Sequence, residues 1–278
     1  MRFKDQVVWI TGASSGIGEG LAYGFAAEGA KLVLSARRED ELKRVAAACN
    51  SADVLIVPFD MVDETAQGKA VEAVLAHFGH VDIMVQNAGI SQRALAKDTD
   101  LAVDRRIMEL DYFAVVGLTK KILPSMIARK AGHFVVTSSI AAKFGIPLRS
   151  AYCAAKYALH GFFETLAVEC APYNIGASLL VIAGVATKIS QSALKGDGST
   201  WNQIDDTQAK GMSITECARI VLNGVVRKDR EINVLVPPTG FYVLLKRFFP
   251  GLLFRMMVRK TLAPFVKGQV GVKSGVER

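Results

Sequence analysis

Residues 6–18 read QVVWITGASSGIG, in which a short apolar run leads directly into a glycine-rich loop. A helical pattern starts at Gly16, so the loop joins a strand to the start of a helix. Gly12 permits a tight turn, and Gly16 lets the backbone approach a pyrophosphate closely. Gly18 lets the helix pack closely on the strand. Free amides and the helix dipole favour phosphate at this point. The predicted nucleotide site consists of Gly12, Ser14, Ser15, Gly16, Ile17 and Gly18.

The same alternation of strand and helix continues along the chain. Short apolar runs are found at 6–11, 31–35, 54–59, 81–86, 133–137, 177–182 and 232–236. Amphipathic stretches are found between them at 16–28, 39–49, 64–78, 101–129, 151–171 and 215–227. Strands that are apolar on both faces and alternate with helices indicate a parallel sheet covered on both sides. We expect an α/β, Rossmann-type doubly wound sheet of about seven strands with helices on both faces.

The charge of the chain is concentrated at its end. The 278 residues carry a formal net charge of +8. Residues 238–278 contribute eight basic residues and one acid, which leaves 26 basic and 25 acidic residues in 1–237. This near-neutral body, without basic and aromatic clustering, argues against a nucleic-acid partner. We expect one domain over 1–237, which binds the cofactor and holds the catalytic site, and a basic apolar tail over 238–278. The spacing of the four Cys and four His indicates no metal site.

The end of the second predicted strand bears on which dinucleotide binds. A site selective for NAD normally has an acid there for the ribose hydroxyl, whereas arginine suits a 2′-phosphate. Here Ala36 is followed by Arg37 and Arg38. These residues favour NADP(H); the alternative is a solvated arginine pair at the start of a helix.

A second group of residues points to proton transfer. Tyr152 and Lys156 are four residues apart on a predicted helix and therefore share a face. The Lys156 ammonium would stabilise a phenolate, so Tyr152 could give a proton to a carbonyl oxygen or take one from an alcohol. Ser139, thirteen residues before Tyr152, ends a strand at the sheet edge where ligands bind, and could hydrogen-bond the same oxygen.

Taken in order, TGASSGIG at 11–18, Asn87-Ala88-Gly89, Ser139 and Tyr152-x-x-x-Lys156 resemble the short-chain dehydrogenase/reductase family. The resemblance covers residues 4–237. It implies an oxidoreductase in which Ser139 orients the substrate, Tyr152 transfers the proton, and Lys156 assists Tyr152 and binds the nicotinamide ribose. It also implies a small carbonyl or alcohol substrate, and a homodimer or homotetramer formed through the helices at 101–129 and 151–171. Further cofactor contacts implied by the resemblance are Asp60, Met61, Asn87, Ala88 and Gly89. For Asp60, a helix cap is the alternative role.

Two positions depart from the family pattern. Asp111 occupies the place of an Asn that is thought to hold a water in a proton relay to the lysine. An ionised Asp accepts but does not donate hydrogen bonds, so we expect activity that is retained but altered. After the sixth predicted strand, Ala183-Gly184-Val185-Ala186-Thr187 lacks the usual proline and is one residue short between Gly and Thr. Val185 and Thr187 remain candidate cofactor contacts.

The substrate side is less clearly marked. Residues 188–212 fall where the family has a variable substrate loop, and their glycines fit a mobile lid. The stretch MSITECARIVLNGV at 212–225 and the tail resemble retinoid- and steroid-type reductases related to dehydrogenase/reductase member 7. This favours a hydrophobic, steroid-, retinoid- or lipid-like ketone, aldehyde or secondary alcohol. The alternatives are a 3-oxoacyl thioester reductase and an NADP(H)-binding scaffold or sensor without turnover.

The tail combines apolar and basic residues. Residues 241–266 read FYVLLKRFFPGLLFRMMVRKTLAPFV, without an acid. This composition fits an interfacial helix on anionic lipid, and equally an extension that packs on its own domain or on a neighbouring subunit. No signal peptide or standard transmembrane run is found, so we expect a cytoplasmic protein, with peripheral membrane contact through the tail as a further expectation.

Overall fold

The structure is a computed structural model that describes residues 1–49 and 53–259. Seven strands lie within those residues: β1 Val7–Thr11, β2 Lys31–Ser35, β3 Val54–Ile56, β4 Ile83–Gln86, β5 Gly132–Thr137, β6 Ile175–Ala183 and β7 Glu231–Leu235. They pair in parallel in the order β3-β2-β1-β4-β5-β6-β7. This is the doubly wound α/β sheet that the sequence predicts.

Helices connect the strands. Those before β6 are α1 Gly16–Ala27, α2 Glu39–Ala48, α3 Glu64–Phe78, α4 Leu101–Met108, α5 Ala114–Arg129 and α6 Ser150–Glu169. Those after β6 are α7 Asp206–Ala209, α8 Ile214–Arg227, α9 Thr239–Phe248 and α10 Pro250–Met257. The continuous helix predicted over 101–129 is wrong in one respect, because a π-helical turn, Glu109–Phe113, separates α4 from α5. Such turns insert one extra residue and often occur at functional sites.

The core has one layer on each face of the sheet. On β1, Val8 and Ile10 belong to the layer with Leu21 and Phe25 of α1. Val7 and Trp9 point the other way, because successive side chains of a strand alternate between faces. The second layer is closed by α3, α5 and α6, whose apolar side chains include Val74, Leu118 and Phe163. Both faces are therefore dry, as a sheet with apolar strands requires.

The site lies where the strand order reverses. β1 pairs with β2 on one side and with β4 on the other, so the loops after β1 and β4 diverge to opposite faces. In an open parallel sheet this crevice at the carboxyl ends of the strands is the ligand site. The fold thus brings to one edge the residues that follow β1, β2, β4, β5 and β6.

The chain divides into two compact units, Met1–Leu235 and Val236–Arg278. In the second, Phe249 separates α9 from α10, which begins at Pro250. Eight large apolar side chains among its described residues are exposed: Phe241, Leu244, Phe248, Phe249, Leu252, Phe254, Met256 and Val258. Within the described residues, every helix is too short or too polar to traverse a lipid bilayer. Residues 260–278, with the remainder of the predicted tail, lie outside the described residues.

Candidate active site

The loop after β1 is shaped by glycines. Gly12 has φ +65°, and a Cβ there would lie 2.9 Å from the Cα of Ala88. A Cβ at Gly18 would lie 2.3 Å from the carbonyl oxygen of Gly12, so the first turn of α1 folds tightly against the loop. Ser15 caps α1 with extended backbone and without a side-chain cap bond. The amides at the start of α1 therefore keep their capacity to bind phosphate.

Asn87 fixes this loop to the middle of the sheet. Its side-chain amide donates to the carbonyl oxygens of Thr11 and Gly12, at 3.1 and 3.3 Å. Its amide oxygen accepts from the hydroxyl of Thr137, at 3.1 Å. The backbone amides of Asn87 and Ala88 both donate to the Thr11 hydroxyl. The predicted Asn87-Ala88-Gly89 element thus joins the ends of β1, β4 and β5.

Two arginines follow β2 at the same edge. The Arg38 guanidinium lies 3.3 Å from the hydroxyl of Ser14 in the phosphate loop. Arg37 is mostly exposed and lies 4.0 Å from the Asp60 carboxylate, after β3. The helix-cap alternative for Asp60 is wrong, because Asp63 caps α3 by accepting from the amides of Thr65 and Ala66. Asp60 and Asp63 are only three residues apart, so the sequence alone does not show which of the two caps the helix.

Met61, beside Asp60, is 5% exposed and packs in the core layer that contains Trp9. Its carbonyl oxygen accepts from Gln67, which also donates to the carbonyl oxygen of Ala114 on α5. These bonds hold the chain after β3 against the neighbouring helices.

Tyr152 and Lys156 lie on the buried face of α6, as their spacing predicts. The Lys156 ammonium is 5.5 Å from the centre of the Tyr152 ring. It donates to the carbonyl oxygen of Thr137 at 3.1 Å, which ties α6 to the end of β5. Tyr152 is 8% exposed, so bulk water has little access to it.

Asp111 in the π turn faces Lys156. One carboxylate oxygen lies 3.2 Å from the Lys156 ammonium, and the other accepts from the amide of Ile90 at 2.8 Å. Burial is the largest single effect and lowers the pKa of Lys156, but the charges of Asp111 and Tyr152 and the hydrogen bond to Asp111 together outweigh it, so that the pKa is raised above its usual value. Burial raises the pKa of Asp111, and the ammonium opposes that rise. The lysine is therefore held protonated inside the protein.

Ser139 lies two residues after the end of β5 and caps a short 3₁₀ turn, Ile140–Ala142. Its hydroxyl accepts from the amide of Ala141 and lies 3.5 Å from the carbonyl oxygen of Ile182 on β6. Ala141 packs in the same apolar cluster as Tyr152. The structure therefore brings Ser139 to the crevice that also holds Tyr152 and Lys156.

The shortened segment after β6 still reaches the phosphate loop. A Cβ at Gly16 would lie 3.3 Å from the methyl group of Thr187. Val185 is buried, and backbone bonds between Gly184, Ala186 and Met212 hold the segment in place. Both predicted contacts are thus near the position expected of a bound cofactor.

One cluster escaped the sequence analysis. Asp205, from the segment 188–212, is hydrogen-bonded by two arginines, Arg93 and Arg149. Arg93 follows β4 and its side chain is only 5% exposed, while Arg149 caps α6. The three residues are more than fifty positions apart, so only the fold brings them together. The sequence feature that could have indicated this cluster is Arg149, which lies three residues before Tyr152.

These residues fit a dinucleotide. The glycine loop has no room for side chains at Gly12 and Gly18, next to the uncapped start of α1. Arg38 lies beside this loop. The arrangement can hold a nucleotide and, beside it, transfer a proton.

Comparison with known proteins agrees with this arrangement. The family model described as short chain dehydrogenase matches residues 6–198. Dehydrogenase/reductase SDR family member 7 of Homo sapiens is 40% identical over 253 residues, 88% of this chain and 75% of the relative. Member 7B of Bos taurus is 38% identical over 265 residues, 92% of this chain and 82% of the relative.

Among solved structures, a short chain dehydrogenase/reductase from Burkholderia phymatum in complex with NAD has a similar fold. It superimposes with a TM-score of 0.79 at 24% identity, over 91% of this chain and 96% of that chain. The family match and these relatives extend well beyond half of the chain. The chain therefore belongs to the short-chain dehydrogenase/reductase family of oxidoreductases, whose fold binds a nicotinamide cofactor.

Proposed function

We propose that this protein is an NADP(H)-dependent oxidoreductase that interconverts a hydrophobic ketone or aldehyde and its alcohol. The observation that carries the proposal is the buried Tyr152–Lys156 pair beside Ser139, at the edge that holds the glycine loop. A scaffold that only binds nucleotide has no need of a lysine held protonated near a phenol.

In the proposed reduction, the Ser139 hydroxyl donates a hydrogen bond to the carbonyl oxygen of the substrate. Tyr152 gives its proton to that oxygen, and the Lys156 ammonium stabilises the phenolate that remains. Asp111 keeps Lys156 protonated through its buried carboxylate. The bound nicotinamide supplies the hydride. In the oxidation Tyr152 removes the alcohol proton.

Cofactor choice is proposed to depend on Arg37 and Arg38. A guanidinium binds a 2′-phosphate by charge-assisted hydrogen bonds, and Arg38 already lies at the phosphate loop. Arg38→Gln should weaken NADPH binding about tenfold or more and leave NADH binding nearly unchanged. Protein fluorescence titrations with both nucleotides measure this, with Lys43→Gln on exposed α2 as the matched control. Equal loss for both nucleotides would refute the assignment.

The substrate class is tested by a screen that follows NADPH absorbance. We expect turnover of steroid-, retinoid- or lipid-like ketones and aldehydes. Preference for 3-oxoacyl thioesters would favour the thioester reductase alternative. Binding of NADPH without turnover of any carbonyl compound would favour the scaffold or sensor.

For the tail we propose contact with an anionic membrane surface. The support is the row of exposed apolar side chains on α9 and α10, with no acid between Glu231 and Glu277. The full chain should float with anionic vesicles and less with neutral ones. Phe248→Ser with Phe254→Ser should reduce flotation at least several-fold; unchanged partitioning would favour packing against protein.

We also propose a homodimer or homotetramer formed through α4, α5 and α6. Phe113 in the π turn between α4 and α5, and Tyr157 and Val168 on α6, are exposed apolar side chains, which supports a contact there. Light scattering of the full chain gives the mass, and a monomer at micromolar concentration would refute the proposal.

A further inference from the structure

Thr137, the last residue of β5, and Ser138 after it are bonded to two successive turns of α6. The Thr137 carbonyl oxygen accepts from the Lys156 ammonium at 3.1 Å. One residue and one helical turn further on, the Ser138 hydroxyl lies 2.9 Å from Nε2 of His160. Because Lys156 and His160 are four residues apart, they share a helix face. The two contacts join α6 to the chain immediately before Ser139.

The contact between Ser138 and His160 is buried. Ser138 is 2% exposed and His160 is 7% exposed, so water has little access to either partner. The backbone amide of Ser138 also donates to the carbonyl oxygen of Leu180 on β6, at 2.9 Å. A buried hydroxyl that loses its partner carries a free-energy cost. The bond to His160 therefore restrains Ser138 from the side of α6.

The carboxylate of Glu164 decides which ring nitrogen of His160 carries the hydrogen. Nδ1 lies 3.5 Å from this carboxylate, one turn along α6. A carboxylate accepts hydrogen bonds but does not donate them, so Nδ1 carries the hydrogen and Nε2 of the neutral ring accepts. The Ser138 hydroxyl is then the donor to His160.

Charged groups from three parts of the fold act on His160. Burial, and then the charge of Lys143 after the 3₁₀ turn, lower its pKa below the usual value. Glu164 on α6 and Glu231 on β7 oppose this shift, and Glu231 is also ion-paired with Lys143. The pKa remains lowered, so the ring is neutral at neutral pH and Nε2 can accept.

The position of Ser139 depends on the residue before it. The Ser139 hydroxyl accepts from the amide of Ala141 at 3.2 Å and lies 3.5 Å from the carbonyl oxygen of Ile182 on β6. Neither of these contacts reaches α6, which carries Tyr152. The hydroxyl of Ser138 supplies that link one residue earlier.

We propose that His160 is a positioning residue, which holds Ser139 in place relative to Tyr152 by accepting the hydrogen of the Ser138 hydroxyl. His160 acts through Ser138 and is not itself a catalytic residue. This inference deepens the proposed function and rests on the role proposed there for Ser139.

The test compares His160→Gln, which keeps an acceptor near the position of Nε2, with His160→Leu, which has none. With the best carbonyl substrate of the screen, His160→Leu should lower kcat at least about tenfold, because a small displacement of Ser139 misplaces its hydroxyl. The dissociation constant of NADPH should change less than about twofold. His160→Gln should recover kcat to within about threefold of the unsubstituted protein. Equal losses in the two variants would overturn the proposal.

Ser138→Ala removes the other side of the same bond. Once Ser138→Ala is in place, adding His160→Leu should cost less than about twofold in kcat, because the bond is already lost. His77→Leu, which replaces an exposed histidine on α3, is the matched control and should leave kcat unchanged. If His160→Leu does not fold, Ser138→Ala carries the same prediction. Multiplying losses, or an unchanged kcat in Ser138→Ala, would overturn the proposal.

A second readout needs no substrate. The Ala141 amide is bonded to the Ser139 hydroxyl, so its hydrogen exchange, read by NMR, reports on the position of Ser139. Relative to the amides of β1, exchange at Ala141 should rise about tenfold in His160→Leu and stay near its original rate in His160→Gln. That pattern without turnover of any carbonyl compound would refute only the proposed function. Tyr152-dependent turnover with unchanged kcat and exchange in His160→Leu would refute only the role of His160.

Discussion

The pairing of Asp111 with Lys156 is the feature that most distinguishes the site at the scale of single residues. A carboxylate replaces a neutral amide at a fully buried position, 3.2 Å from the ammonium. Gly89 faces the same carboxylate, and a Cβ there would lie 3.1 Å from it. Position 89 therefore has little room for a side chain beside Asp111.

Asp111→Asn should move the pH–rate profile to lower pH by about one unit. Asp111 raises the pKa of Lys156, so its removal lets the ammonium lose its proton at lower pH and moves the alkaline limb down. The same change removes a negative charge that opposes the phenolate, so the acid limb moves down too. Rates of alcohol oxidation from pH 5 to 11 measure both limbs, and a superimposable profile would show that the carboxylate is immaterial.

Sequence reasoning succeeded for residues close together in the chain. Tyr152 and Lys156 share a helix face because of their spacing, and Ser139 reaches the site because it closely follows the end of a strand. The sequence did not predict the contact between Asp205 and Arg93. That contact depends on the path of the segment 188–212, which has no periodic pattern.

At the scale of elements, the segment 188–212 is fastened to the body at several points. Backbone bonds join Leu194 to Ser91 and to Arg93, on the chain that follows β4. Asp205 adds the two arginine contacts. The segment that the sequence predicts to be a mobile lid is thus held to the body by backbone hydrogen bonds and by the arginine contacts of Asp205.

Asp205→Asn should loosen this segment. Loss of charge-assisted bonds to two arginines should raise amide exchange at Leu194 and Trp201 about tenfold. Hydrogen exchange read by NMR measures this, and Asp98→Asn, which removes an exposed pair with Lys97, is the control. Equal exchange in both variants would show that Asp205 does not hold the segment.

The π turn between α4 and α5 is a feature that apolar periodicity does not predict. Apolar spacing over 101–129 predicts a helix, and helix is found on both sides of the turn. The turn itself changes which residues face inward, so that Asp111 becomes buried. One extra residue in one turn changes the apolar periodicity too little for the π turn to be predicted from the sequence.

At the scale of the whole molecule, the sheet order follows from the alternation of apolar strands and helices. The sequence could not predict the buried polar contacts between side chains of neighbouring strands. His133 at the start of β5 is one example, with Nε2 2.8 Å from the Ser178 hydroxyl on β6.

This histidine should make the fold sensitive to acid. Burial, and then Lys228, lower its pKa from 6.5 to about 4, so the unfolded chain binds the proton more readily. Stability is full above pH 6.5 and falls as the pH drops toward 4. Denaturant unfolding should show His133→Gln losing about 2 kcal/mol less than the unsubstituted protein between pH 7 and 4.5. Equal losses would contradict this.

The central claim is that Tyr152 transfers the proton in a carbonyl–alcohol interconversion. The most direct measurement is NADPH-dependent turnover by Tyr152→Phe, with the best carbonyl substrate of the screen, beside a fluorescence titration of NADPH. We expect turnover to fall by at least about a hundredfold while the dissociation constant of NADPH changes less than about threefold. Turnover that persists near the level of the unsubstituted protein would contradict the claim.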